Sequence, residues 1–228
     1  MDAYIQPLAL VAIAYALGSV PFGYLAGRFV RGVDIRKHGS GNIGATNVGR
    51  VLGGRLGMAV LLLDLLKGAI PVGLLAPWMI GKDATDLQHW QVAAGVATIL
   101  GHVFPCWLRF RGGKGVATSL GVALCLNVWT TLGAAALYGA SFAAFRIASV
   151  ASMVGALGYA VIQFVLLWPN PFSGPNWSLA AFSLAVPALI LARHRTNIVR
   201  LARGEEKKLQ LAAEKAAAGS QPAESNPR

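Results

Sequence analysis

The chain has 228 residues, 55% of them hydrophobic and 13% charged, with a formal net charge of +11 and a mean hydropathy of +0.56. Soluble domains carry about 25% charged residues. Half that share combined with strong basicity excludes a disordered chain, a collagen-like repeat and an ordinary soluble globule, which leaves an all-α polytopic membrane protein. Cys106 and Cys125 lie in apolar segments and are too few for a disulfide framework or a metal cluster. Met1 and Asp2 make no basic n-region, so the first apolar run is expected as a retained helix, not a cleaved signal.

Apolar runs fall at about 4–26, 55–80, 90–107, 115–127, 129–146, 149–168 and 176–193. The fourth, about 13 residues against the ~20 that a span needs, is expected to be re-entrant or to tilt against its neighbours. Basic residues gather on the cytoplasmic side of short loops. Seven transmembrane helices with the N-terminus outside and the C-terminus cytoplasmic place eighteen of the 20 Lys and Arg inside. Dropping the fourth span would move Arg146 and the tail away from the first two basic loops. Trp78, Trp90, Trp107, Trp129, Trp168 and Trp177 all fall near span ends, where an indole prefers the interface. Residues 1–203 therefore read as one membrane domain without a visible internal repeat. Residues 204–228, rich in Ala, Glu and Lys before a Ser, Pro and Asn end, read as a cytoplasmic tail, amphipathic or partly disordered. The net charge faces inward, where it sets topology and meets anionic lipid and phosphate; no nucleic acid is expected.

Three polar segments lie on that inner face. Ser40-Gly41-Asn42-Ile43-Gly44-Ala45-Thr46-Asn47-Val48-Gly49-Arg50 follows the first span. Its small residues let a backbone approach a ligand, its N–H groups can form an anion nest, and Arg50 adds a bidentate cation; a flexible loop of turn formers is the plainer reading. Arg111-Gly112-Gly113-Lys114-Gly115-Val116-Ala117-Thr118-Ser119 opens the fourth span. A glycine loop entering a helix N-terminus suits a phosphate, with Lys114 as point charge. The spacing is not that of a Walker A loop, so nucleotide binding is unsupported. Arg193-His194-Arg195-Thr196-Asn197-Ile198-Val199-Arg200-Leu201, with Gly204 and Glu205, ends the seventh span. Snorkelling arginines account for most of it, but a stop-transfer cluster has no need of Asn197.

Within the spans, Asp64 and Lys67 stand three apart on one helix face and can pair, either holding the bundle together or supporting the site. Arg146, Ser149 and Ser152 form a polar stripe where the fifth span turns into the sixth; either serine can complete a pocket, and serines also pack helices closely. His102 is a candidate proton acceptor or a hydrogen-bonded structural residue. Two phosphate-suited loops on one membrane face, with little aqueous domain, point to lipid chemistry, the acyl chain in the bilayer and the phosphates at the interface.

The segments Ser40 to Arg50, Gly101-His102-Val103-Phe104-Pro105 followed by Gly112 to Thr118, and Arg195 to Leu201 with Gly204 and Glu205 closely resemble, in order and spacing, the three motifs of the bacterial membrane acyl-phosphate:glycerol-3-phosphate acyltransferases. The resemblance covers about residues 4–206 and implies a seven-span, N-out fold in the bacterial cytoplasmic (inner) membrane with a cytoplasmic active site. It implies transfer of a fatty acyl group from acyl phosphate to the sn-1 hydroxyl of glycerol 3-phosphate, giving lysophosphatidate and phosphate, the first acylation of phospholipid synthesis. Acyl phosphate would be bound by Ser40, Gly41, Asn42, Gly44, Thr46, Gly112, Gly113 and Lys114. Glycerol 3-phosphate would be held by Ser40, Arg50, Lys114, Asn197 and Ser149, with Ser152 nearly as good a fit as Ser149. Lys114, Asn42, Arg50 and His102 are the candidate catalytic residues. The family implies no metal, no cofactor and a functional link to the enzyme that makes acyl phosphate.

The His-then-Asp signature of soluble-type acyltransferases is absent, since the positions five after His38, His89, His102 and His194 are Ile43, Ala94, Trp107 and Val199. An acyl phosphate is already activated, so alignment and charge stabilisation suffice, and a substrate phosphate with a second pKa of about 6 can take the hydroxyl proton. Two other classes are open to a chain of this kind. A small anion transporter calls for polar residues at mid-membrane and on both faces; a scaffold of lipid synthesis needs no glycine-rich anion loops.

Overall fold

A computed structural model describes residues 4–209, and every regular element among them is helical. Residues 210–228, most of the expected tail, lie outside the described residues. The first apolar run is not one helix. α1 (Ile5–Gly18) and α2 (Phe22–Arg31) are separated at Ser19-Val20-Pro21, because proline lacks an N–H and fixes its φ. α3 (Ala45–Leu52) and α4 (Gly54–Ile70) follow. α4 passes through a π-helical turn, Pro71–Leu75, into α5 (Ala76–Ile80). Then come α6 (Leu87–Val103), α7 (Val116–Leu126), α8 (Val128–Phe145), α9 (Ala148–Leu167), α10 (Trp177–Arg193) and α11 (Arg195–Ala202).

Six stretches are long and apolar enough to cross a membrane: Ile5–Arg31, Gly54–Ile80, Leu87–Leu108, Val128–Phe145, Ala148–Leu167 and Gly174–Arg193. The fourth apolar run is the exception, since α7 has only 11 residues. At 1.5 Å per residue it is ~16 Å long, about half of a ~30 Å hydrocarbon core.

Lipid offers little hydrophobic drive for helix association, so close approach through small residues matters. A Cβ on Gly68 would lie 2.2 Å from Thr118 O, and one on Gly121 would lie 2.0 Å from Leu65 O, so α4 and α7 touch backbone to backbone. Gly18 and Gly101 do the same for α1 and α6, with Thr98 O and Tyr15 O as the groups approached. The largest buried cluster joins Val72, Ile99, Val122, Tyr159, Phe182 and Val186. Leu62, Leu66, Val161, Val165 and Leu166 are exposed, as on a lipid-facing surface, and so are Trp78, Trp107, Trp129, Trp168 and Trp177.

Candidate active site

The first polar segment is half turn and half helix. Gly39 and Gly41 adopt φ of +62° and +73°, a left-handed region that glycine enters without strain, and the chain doubles back before α3 begins at Ala45. Thr46, Asn47 and Arg50 therefore stand on a helix and not in a flexible loop. Asn47, only 2% exposed, pins the turn. Its Oδ1 accepts from Ser40 N–H at 2.7 Å, and its Nδ2 donates to Asn42 O at 2.8 Å and His38 O at 3.0 Å. Asn42 Oδ1 accepts from Gly44 N–H at 2.8 Å.

The second segment runs along the C-terminal end of α6 before entering α7. Gly112 N–H donates to Val103 O and Gly113 N–H to His102 O, each at 3.1 Å. A Cβ on Gly112 would meet His102 O at 2.1 Å, so this turn requires glycine for contact with α6. The N–H groups of both glycines are thus hydrogen-bonded within the protein. Their carbonyls face Arg193, whose guanidinium donates to Gly113 O at 3.3 Å and Gly112 O at 3.4 Å. The turn hands the chain to Lys114 and to the N-terminus of α7, whose first N–H groups have no helical acceptor.

The third segment closes the site. Lys114 Nζ donates to Asn197 Oδ1 on α11. Beyond α11 the chain crosses to the α8–α9 turn, where Leu209 N–H donates to Arg146 O at 2.8 Å. Glu206 is the hub: Ser149 Oγ donates to Oε1 at 2.8 Å, Asn197 Nδ2 donates to the same oxygen, and Arg200 Nε donates to Oε2 at 2.7 Å. Glu206, not the motif residue Glu205, makes these bonds. Ser152 Oγ donates instead to Ala148 O of its own helix at 2.7 Å.

Burial lowers the Lys114 pKa to about 8; Glu206 acts against that, and Arg200, Arg193 and Arg50 add to it. Burial pushes Glu206 up, but the hydrogen bonds from Arg200, Asn197 and Ser149 outweigh it and leave the carboxyl below its usual value. His194, held by Nδ1 against Ile190 O at 2.8 Å, is lowered to about 4 by burial and by Lys114, so it is neutral at pH 7.

Two cavities meet at these residues. One, of about 440 Å³, is lined by Ser40, Asn42, Gly44, Thr46, Arg50, His102, Lys114, Ser149 and Asn197 and continues between α7, α8, α9 and α10 past Ala156, Val186 and Phe182 to Tyr159. The ten steps from Ser149 to Tyr159 on α9 correspond to ~15 Å, about one leaflet of the ~30 Å core. The other, of about 990 Å³, carries Gly41 and Gly112 and is lined by Arg36, Lys37, Arg109, Arg111, Arg193 and Arg195, with Asp34 as an acid already paired to Arg36 at 2.7 Å. Ser40, Asn42, Lys114 and Arg200 belong to both. An apolar chamber and a basic vestibule thus share one wall of hydrogen-bonding groups, a lysine and an arginine. Nearly all the sequence-derived residues converge here. The residues passed over are Asn47, Arg193, His194 and Glu206; the i, i+4, i+7 spacing of Arg193, Asn197 and Arg200 was the available signal for two neighbours of Asn197.

The chain resembles known proteins over most of its length. Residues 8–204 match the family model described as glycerol-3-phosphate acyltransferase. The chain belongs to that family. It is 48% identical over 206 residues to the glycerol-3-phosphate acyltransferase of Anaeromyxobacter sp. (strain Fw109-5), covering 90% of this chain and 97% of the relative. It is 46% identical over 200 residues to that of Myxococcus xanthus (strain DK1622), covering 88% and 98%. Among solved structures it resembles the integral membrane glycerol 3-phosphate acyltransferase PlsY in its glycerol 3-phosphate form, with a TM-score of 0.80, 36% identity and coverage of 94% and 99%. The lysophosphatidic acid form gives 0.76, 37%, and 90% and 95%. The chain is thus a membrane acyltransferase by family, and residues 40–50, 111–119 and 193–201 lie within the matched span.

Proposed function

We propose that this protein acylates the sn-1 hydroxyl of glycerol 3-phosphate with acyl phosphate as donor, releasing lysophosphatidate and phosphate at the start of bacterial phospholipid synthesis. The observation that carries the reading is the meeting of an apolar chamber one leaflet deep with a basic vestibule at Lys114. The acyl chain takes the chamber, and the acceptor enters by the vestibule. Ser40, Asn42, Gly44, Thr46 and Lys114 hold the donor phosphate; Arg50, Lys114, Asn197 and Ser149 hold the acceptor, replacing Glu206 on the last two. Gly41, Gly112 and Gly113 serve as the scaffold that fixes these groups.

A mixed anhydride needs no protein nucleophile. The site aligns the hydroxyl with the carbonyl and offsets charge on the departing phosphate, while a substrate phosphate with a pKa of about 6 takes the hydroxyl proton. His102 lines the chamber as the alternative base.

The same geometry supports seven crossings with the N-terminus outside and the C-terminus cytoplasmic, in the inner membrane. Arg50, Lys114, Ser149 and Asn197 line one cavity, so the ends of the first, third, fifth and seventh runs share a face. α8 returns to that face over 18 residues and starts one residue after α7. α7 therefore covers the outward path and begins below the inner surface, recessing Lys114 into the membrane. Residues 1–203 form the membrane domain in this reading.

The test is direct. Purified protein given acyl phosphate and labelled glycerol 3-phosphate should form lysophosphatidate, and acyl-CoA should not replace the donor. Well-folded protein that forms none contradicts the proposal, and equal use of acyl-CoA contradicts the donor.

A further inference from the structure

The bilayer interior is a costly place for an ion pair, yet α4 carries one. Lys67 Nζ lies 2.8 Å from Asp64 Oδ1, with the side chains 4% and 3% exposed. Charged side chains inside transmembrane segments are rare and tend to mark function. Replacing a buried pair with apolar residues of similar volume is often neutral or stabilising. Stability alone is thus a weak reason for Asp64 and Lys67.

Their neighbours supply a stronger one. Lys67 also donates to Val20 O at 2.8 Å, the carbonyl at the break between α1 and α2, and stands 5.4 Å from the centre of the Phe22 ring. On the other side Asp64 Oδ1 is 3.6 Å from Nδ1 of His102; neither atom has a hydrogen-bond partner among the described residues, and both residues line the chamber. The far nitrogen of the imidazole is the wall against which Gly113 rests: a Cβ on Gly113 would lie 2.1 Å from His102 Nε2. The next residue is Lys114. One unbroken set of contacts therefore runs from the helix break through Lys67, Asp64, His102 and Gly113 to the lysine shared by both cavities.

We infer that Asp64 and Lys67 are positioning residues for Lys114, acting through the His102 imidazole on which the glycine turn is seated. The inference rests on the reading of Lys114 as the cation that meets the substrate phosphates. Lys67 fixes the Asp64 carboxylate and ties it to Val20. The carboxylate faces the Nδ1 edge of the ring and sets its orientation. The opposite edge sets the height of Gly113, and with it the place where the Lys114 ammonium meets phosphate.

Two pairs of variants test this in the purified full chain, with acyl phosphate and glycerol 3-phosphate as probes. Asp64→Leu combined with Lys67→Met removes the charges and keeps the volume. Its thermal midpoint should match or exceed that of the unsubstituted protein, while kcat falls about 10- to 100-fold, since a 1 Å misplacement costs about 100-fold; KM for glycerol 3-phosphate should change far less. Gly113→Ala should lower kcat by pressing the turn off the ring, and adding His102→Ala, which makes room, should restore it at least several-fold. Turnover of the Leu/Met variant within twofold of normal overturns the inference. So does a Gly113→Ala/His102→Ala variant no faster than Gly113→Ala, which would place His102 in proton transfer. If the Leu/Met variant does not fold, the second pair decides. Inactivity of the unsubstituted protein is a different outcome, since it would refute the functional reading and not the contacts.

Discussion

Lys114 concentrates the chemistry because, of the two cations common to both cavities, the other, Arg200, is paired to Glu206 at 2.7 Å. Burial brings its pKa down to about 8, so the free protein holds the ammonium below that pH and loses it as the pH rises through 8. Since kcat/KM reports the free enzyme, it should fall on the alkaline side with a midpoint near 8. Lys114→Arg, whose guanidinium stays charged beyond pH 12, should remove that limb, and Lys114→Ala should cost about 100- to 1000-fold in rate. A limb unmoved in the Arg variant would assign the titration to another group. Lys114, Arg50 and Asn197 were readable from residue type and spacing. Asn47 was visible in the motif but not as its keystone. Its hydrogen bonds to Ser40, Asn42 and His38 depend on the chain doubling back at Gly39 and Gly41, which residue identity alone does not reveal. Glu206 is hidden for a related reason: only the crossing of the chain back to Ser149 distinguishes it from Glu205 beside it.

At the scale of elements, apolar runs were legible and their internal breaks were not. Pro21 splits the first run, and Pro71 opens a π turn in the second; hydropathy sums do not register either. The shortness of the fourth run, by contrast, is real, and it positions the site. A helix of 11 residues presents its N-terminus at the start of the apolar chamber. The far end of that chamber meets Tyr159, which is 6% exposed and stands edge-on to Phe182 with ring centres 6.0 Å apart. Tyr159→Ala should therefore lengthen the chamber and move the preferred acyl phosphate to chains at least two carbons longer, as read from kcat/KM over a chain-length series. An unchanged optimum would mean that another element ends the acyl path.

For the whole molecule, apolarity and charge divide by location. Arg36, Arg109, Arg193 and Arg195 gather at the vestibule, while the apolar residues build the bundle and its lipid-facing surface. The absent sequential His-Asp signature has a spatial counterpart: His102 and Asp64 lie 38 positions apart in the chain and 3.6 Å apart in space, a proximity that only helix packing creates. With Cys106 and Cys125 replaced, single cysteines at Asp83, Asn127 and Ser173 should react with an impermeant maleimide on intact cells, and one at Lys207 should not. Labelling at Lys207 would reverse the orientation or remove a crossing. The central claim is that both substrates sit together at Lys114 and react in one displacement. Initial velocities of the purified protein, measured while acyl phosphate and glycerol 3-phosphate are varied against each other, test it most directly. Intersecting double-reciprocal lines with no phosphate burst before the acceptor is added are the predicted result. Parallel lines with such a burst, the mark of an acyl-enzyme, would contradict it.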